Sequence, residues 1–156
     1  MTDPELGKFS LLAQLGEADR AAVVDEFELS ECAAGSTLFR EGDPADGALF
    51  VAQGRVRVHT ARVAAEGEFG AGDALGTLSL VVAGPREATA ETLSHARIWR
   101  LSRDAYRRLA ALEPATACRL LEGILREYAG AVREEVRRDS SASMESAPVD
   151  PANASD

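Results

Sequence analysis

From Leu29 to Leu101 the chain breaks into short apolar segments, among them Leu38-Phe39, Leu49-Phe50-Val51, Val56, Val58 and Phe69. They are separated by turn formers at Gly35, Gly42-Asp43-Pro44, Asp46-Gly47, Gly54, Gly67 and Gly70. Runs this short, punctuated this regularly, are too brief for helices and suit a compact antiparallel β-architecture. Alternation is clearest in Arg55-Val56-Arg57-Val58-His59. There the valines are expected to face the core and Arg55, Arg57 and His59 to face water.

The flanks read differently. Phe9, Leu11, Leu12 and Leu15, then Ala21, Val23, Val24 and Phe27 after Gly16, recur at spacings that suit two short packed helices. Strands are expected at Thr89–Thr92 and Ala96–Leu101. Ser102 is an N-cap residue for a helix over Arg103–Leu112, with Asp104 adding negative charge to its first turn. Glu113-Pro114 ends that helix, and proline suits the opening turn of the next. Ala117, Leu120, Leu121, Ile124, Leu125, Tyr128, Val132 and Val136 then form an apolar stripe on a last helix reaching about Arg138. Residues 1–8 read as an N-terminal extension. Residues 139–156, rich in Ser, Ala, Pro and Asp, read as a disordered tail.

Length and composition narrow the function. A chain of 156 residues holds one domain and an appendage. Its net charge is −9, about −5 once the tail's four carboxylates are set aside, and such a surface repels phosphate backbones. Arg133, Arg137 and Arg138 come nearest to a basic patch, but Glu134 and Glu135 interrupt it, so nucleic-acid binding is not expected. No apolar run approaches the ~20 residues of a membrane span, and residues 1–8 lack a signal-peptide pattern. A cytoplasmic protein without membrane partners is the expectation. Cys32 and Cys118 stand apart from each other and from His59 and His95, which argues for two buried, inert thiols and against a disulfide or metal site. Asp43 and Asp46 fit a turn better than a carboxylate pair, and Ser36, Ser79 and Ser102 lack a base in any recognisable motif. Enzymatic activity is not expected, nor is a cofactor.

Two segments carry a family resemblance. The first runs from Gly35 through Leu38, Phe39, Gly42, Asp43, Asp46, Phe50 and Gly54 to Val58. The second runs from Phe69 through Gly72, Gly76-Thr77-Leu78-Ser79 and Pro85-Arg86 to Thr89. Together they resemble the cyclic-nucleotide-binding domain of Crp/Fnr-type regulators, over roughly Phe9 to Arg138. The second segment is similar to that family's phosphate-binding cassette. The resemblance implies a mainly β fold with flanking helices: an antiparallel β-roll or jelly roll over about 29–101, N-terminal helices, and C-terminal helices over about 103–138.

It also implies a ligand site made by Leu75, Gly76, Thr77, Leu78, Ser79, Arg86, Glu87, Ala88 and Thr89. A glycine turn entering a short helix leaves amides free for a phosphate, and an arginine clamps two oxygens. Gly76, Thr77, Leu78 and Ser79 are expected to supply the amides and Arg86 the clamp. Two positions depart from the family pattern. Thr77 stands where a glutamate accepts the ribose 2′-hydroxyl, and Glu87 stands where a small residue touches the phosphate. Its carboxylate either opposes the phosphate, pairs with Arg86, or turns outward to water. Arg86 in a surface ion pair with Glu87 or Glu91 is the plainer alternative.

The expected function is a stand-alone regulatory module sensing a small anionic ligand, a cyclic nucleotide within that class, and signalling through its C-terminal helix to a protein partner of unknown identity. Homodimerisation through Ile124, Tyr128, Ala131, Val132 and Val136 is expected, as is the absence of a helix-turn-helix. The alternative is a degenerate, ligand-free domain serving as a structural or protein-interaction module.

Overall fold

The computed structural model describes residues 5–62, 64 and 66–145, with the side chain of Glu145 left aside. The chain divides into two compact units, residues 1–124 and 125–156.

Among its described residues the first unit contains eight strands in two antiparallel sheets. They are β1 (Glu28–Cys32), β2 (Thr37–Phe39), β3 (Gly47–Gln53), β4 (Val56–His59), β5 (Glu66–Phe69), β6 (Ala74–Leu75), β7 (Thr89–Thr92) and β8 (Ala96–Ser102). One sheet has the order β1-β8-β3-β6, the other β2-β7-β4-β5. The α-helices among the described residues are α1 (Ser10–Ala13), α2 (Glu17–Val24), α3 (Arg103–Leu112) and α4 (Pro114–Glu145). Strands expected at Thr89–Thr92 and Ala96–Leu101 are present, as is the helix over Arg103–Leu112, whose Ser102 Oγ accepts the Ala105 amide at 3.0 Å.

Strand β3 shows why the central apolar run is continuous. Ala48, Phe50 and Ala52 pack with the helices, whereas Leu49 and Val51 join Val56, Leu75, Ala90, Ala96 and Ile98 in a second cluster. Successive side chains point to opposite faces, so a strand buried on both reads as unbroken hydrophobicity. Phe50 meets Phe9 and Phe27 edge-on at centroid distances of 5.2 and 5.1 Å, tying the N-terminal helices to the sheet. Such pairs contribute about 0.5–1.5 kcal/mol each beyond burial.

Several expectations need correction. Residues 5–8 are no loose extension: Leu6 is fully buried in a 3-10 turn, and Glu5 pairs with Arg97 at 2.7 Å. Gly67 is not a turn but lies inside β5, opposite Val58. Arg57 and His59 do not simply face water, because both approach Glu91 on the neighbouring strand, at 3.1 and 3.5 Å. Cys118 is exposed, not buried, and Cys32 is half-buried.

Helix α4 continues past Arg138 to Glu145, so residues 139–145 are helical where disorder was expected. Ser141 and Ser143 donate back to the carbonyls of Arg137 and Asp139, both at 2.9 Å, and lengthening a helix already formed needs no new nucleation. The remaining expectation of disorder, over 146–156, lies outside the described residues. Ile124, expected at a dimer face, is only 1% exposed and packs in the helical core with Ala117 and Leu120. The second unit, described by itself, is helical through Glu145 and exposes Leu125, Tyr128, Val132 and Val136.

Candidate phosphate-binding site

The site begins with a backbone constraint. Gly76 has φ +66°, and a 3-10 turn over Thr77–Leu80 follows it. A left-handed residue is the cheap way to reverse the chain between β6 and that turn, and glycine carries no side-chain penalty there. The turn is only four residues long, so the helix-dipole contribution expected from the sequence is small and local amides must carry any attraction for an anion. Of the four amides expected to be free, that of Ser79 is already donated to the Gly76 carbonyl at 3.0 Å.

Arg86 enters from the other side. Its backbone is pinned to the β2–β3 loop: the Arg86 amide donates to the Asp43 carbonyl at 2.7 Å, and the Gly42 amide donates to the Arg86 carbonyl at 2.8 Å. Its side chain lies inside, only 7% exposed. The Nη2 donates to the Gly47 carbonyl at 2.8 Å and lies 3.4 Å from Asp46 Oδ1, while Nη1 donates to Ser79 Oγ at 3.2 Å. The guanidinium also stacks 4.3 Å from the centre of the Phe39 ring. Burial pushes its pKa down while Asp46 pulls it back up, and an arginine stays charged in either case. The alternative surface pair with Glu87 or Glu91 is not what forms.

The other expected residues divide into two groups. Gly76, Ser79 and Arg86 come together. Thr77 and Ala88 are half-buried, Leu75 sits in the cluster with Val51 and Ile98, and Leu78 packs against the helical core. Glu87 is exposed and therefore solvated, which removes it from competition for Arg86. The Thr89 hydroxyl accepts the Glu41 amide at 2.9 Å.

Sequence reasoning missed Asp46, Arg100, Arg103, Phe39 and Gly47. Asp46 had been assigned to a turn, yet its carboxylate bridges Arg86 and, through Oδ2, Arg100. Arg100 pairs in register with Leu49, so it shares the face of β8 that carries Ile98 and Ala96. Arg103 straps the site from outside, donating to the carbonyls of Ser79 at 2.8 Å, Val82 at 3.0 Å and Ala45. A single sequence carried no signal for this cluster, because its members meet only through the strand register.

Among the described residues, no group of three His, Cys, Asp or Glu is placed to hold a metal, and no helix is long and apolar enough to cross a membrane.

Two sheets around an apolar centre, with a buried arginine against a glycine turn, define a β-roll. The family profile described as cyclic nucleotide-binding domain matches residues 29–113, and the chain belongs to that family. Domains of this family bind cyclic nucleotides and are regulatory, not enzymatic. The chain is 30% identical over 112 residues to a CRP-like cAMP-activated global transcriptional regulator of Mycobacterium tuberculosis, covering 68% of this chain and 49% of that protein. It thus spans about half the length of the curated relatives it matches.

Among solved structures, the N-terminal domain of a transcriptional regulator from Streptomyces coelicolor A3(2) superposes with TM-score 0.71. The two are 28% identical, over 83% of this chain and 95% of that one. A cyclic nucleotide-binding domain from Methylobacillus flagellatus shares the fold with TM-score 0.73 at 23% identity, over 86% of this chain and 78% of that one.

Proposed function

We propose that this chain is a sensor domain that takes a small phosphate-bearing ligand, in the first instance a cyclic nucleotide, against Gly76–Ser79 and Arg86. The single observation that carries the reading is the burial of Arg86 with its guanidinium against Gly76. A buried cation aimed at a glycine turn is costly to keep unless it serves structure or an anion.

Contiguous contacts offer a route outward. Arg103, the first residue of α3, holds the Ser79 and Val82 carbonyls, and Tyr106 of the same helix donates to the Ala117 carbonyl of α4 at 3.4 Å. A ligand that shifts the turn over Thr77–Leu80 biases α3 and the start of α4 through these bonds. In the second unit, Leu125, Tyr128, Val132 and Val136 form one exposed apolar stripe, suited to the same stripe on a second copy. The output is then a dimer contact or a contact with a protein partner. The acidic charge of the chain favours protein over nucleic acid as that partner. A cytoplasmic location accords with the regulatory relatives.

A second reading has its own support. The Arg86 guanidinium already bonds Gly47, Ser79 and Asp46, so it can act as an internal strut of a ligand-free interaction module. Calorimetric titration with cyclic AMP, cyclic GMP and cyclic dinucleotides, on wild type and Arg86→Ala, separates the two. Saturable binding that the substitution abolishes establishes the sensor. No heat with any of these ligands ends that reading in favour of the strut.

A further inference from the structure

Arg103 bonds to both segments that shape the candidate site. One is the turn over Thr77–Leu80 and the residues just after it. A turn this short cannot satisfy its own last carbonyls, and Arg103 supplies donors from outside: its Nε bonds the Ser79 carbonyl at 2.8 Å and its Nη2 the Val82 carbonyl at 3.0 Å. The other is the β2–β3 loop, where Nη2 donates to the Ala45 carbonyl and the Arg103 amide donates to the Asp46 carbonyl at 2.6 Å. That loop in turn holds the segment carrying Arg86. The Ala45 amide donates to the Gly84 carbonyl at 2.8 Å, beside the bonds that Gly42 and Asp43 make with the Arg86 backbone. Ser79 therefore sits between two guanidiniums, its carbonyl on Arg103 and its hydroxyl on Arg86.

Electrostatics alone would not put an arginine there. Arg103 is the first residue of α3, where the helix dipole disfavours a cation, and its charge opposes that of Arg86. A residue that breaks a local rule is expected to bring a gain elsewhere. The gain visible here is the set of carbonyl bonds. We propose that Arg103 is a positioning residue of the ligand site: with its donors engaged on backbone carbonyls, it sets the turn and Arg86 in their binding arrangement before a ligand arrives. The inference rests on the ligand-sensing reading above and adds to it how the site is held in readiness. The bonds act inward on affinity, besides carrying a shift outward to α3. Their geometry asks for arginine in particular. Nε and Nη2 lie along one edge of a rigid fork and reach neighbouring carbonyls together, whereas a lysine ammonium keeps the charge and loses the fork. Preorganisation of this kind raises affinity by lowering the ordering cost that binding has to meet.

The test is calorimetry with cyclic AMP and cyclic GMP on wild type, Arg103→Lys and Arg103→Gln, joined to amide hydrogen exchange of the same proteins. Both variants should bind about tenfold more weakly than wild type, the equivalent of one lost hydrogen bond. In the free variants the amides of residues 77–82 should exchange about tenfold faster, while those of β3 and β8 keep the wild-type rate. Saturating ligand should slow residues 77–82 again, because the variant turn can still be ordered at a cost paid on binding. Affinity within about twofold of wild type in either variant overturns the inference and leaves the sensor reading standing. Faster exchange throughout β3 and β8, or a variant that is unfolded by circular dichroism, makes Arg103 a general support and also overturns it. If wild type binds neither nucleotide, the sensor reading falls and this inference with it.

Discussion

The guanidinium of Arg86 fills the space in which residue 76 would carry a side chain: a methyl built on Gly76 overlaps Arg86 Nη1. Gly76 also holds φ +66°, a region that disfavours any residue with a Cβ. The glycine and the arginine are thus two halves of one packing decision, ten residues apart.

Gly76→Ala should therefore fail twice. The left-handed backbone costs about 1–2 kcal/mol with a Cβ present. The added methyl also pushes Arg86 off the Gly47 carbonyl. Urea unfolding should report the loss of stability, and cyclic AMP affinity should fall, as is expected for Arg86→Ala. A variant as stable and as competent as wild type would show that the two residues do not interlock.

The two departures from the family pattern should behave unequally. Glu87 is exposed, so Glu87→Ala should change stability and affinity by less than about 0.5 kcal/mol. Thr77→Glu restores a charged acceptor for the ribose hydroxyl, and a hydrogen bond to a charged group contributes ~1.5–3 kcal/mol, or about ten- to a hundredfold in affinity. Titration of both single variants with cyclic AMP checks the ranking. A larger gain from Glu87→Ala would reverse it.

Acid sensitivity should map to Asp19. Its carboxylate accepts from the Thr116 hydroxyl at 2.5 Å and from Arg119 Nη1 at 2.6 Å, joining α2 to the first turns of α4. The Thr116 hydrogen bond is the largest cause holding its pKa below the ordinary value; burial opposes it, and the Arg119 charge and hydrogen bond add to the lowering. A carboxyl depressed in the folded state adds stability that is fully present above its unfolded pKa of roughly 3.9 and is lost as pH falls through the folded value. Asp19→Asn should lower stability at pH 7 and flatten the decline below pH 4. Parallel acid limbs for wild type and variant would remove Asp19 from the account.

The exposed stripe of the second unit makes a hydrodynamic prediction. If Leu125, Tyr128, Val132 and Val136 meet a second copy, wild type should sediment at twice the chain mass of 16.5 kDa and Val132→Glu at that mass. A charge in the seam of paired helices is left without solvent or partner. A wild-type monomer at micromolar concentration rules the pairing out.

The strands at Thr89–Thr92 and Ala96–Leu101 and the Ser102 cap were readable along the chain, because each rests on neighbouring residues, a serine before a helix or a short apolar run between turn formers. Gly67, by contrast, reads as a turn and lies inside a strand, and the partnership of the Gly76 turn with Arg86 followed from the family resemblance. The reach of α4 to Glu145 was not readable, since Ser141 and Ser143 look like loop residues until a helix already in place offers them carbonyls. Arg100 and Asp46 lie 54 positions apart, and Asp46 and Arg86 lie 40 apart. Their meeting depends on β3 and β8 pairing with Leu49 opposite Arg100, a register chosen by the burial of Ala48, Phe50 and Leu101 on one face and Leu49, Val51 and Ile98 on the other. Local chemistry decides which turns and caps form. The charges that share a pocket are decided by how the whole apolar surface buries itself, a sum over distant residues that no single stretch of chain contains.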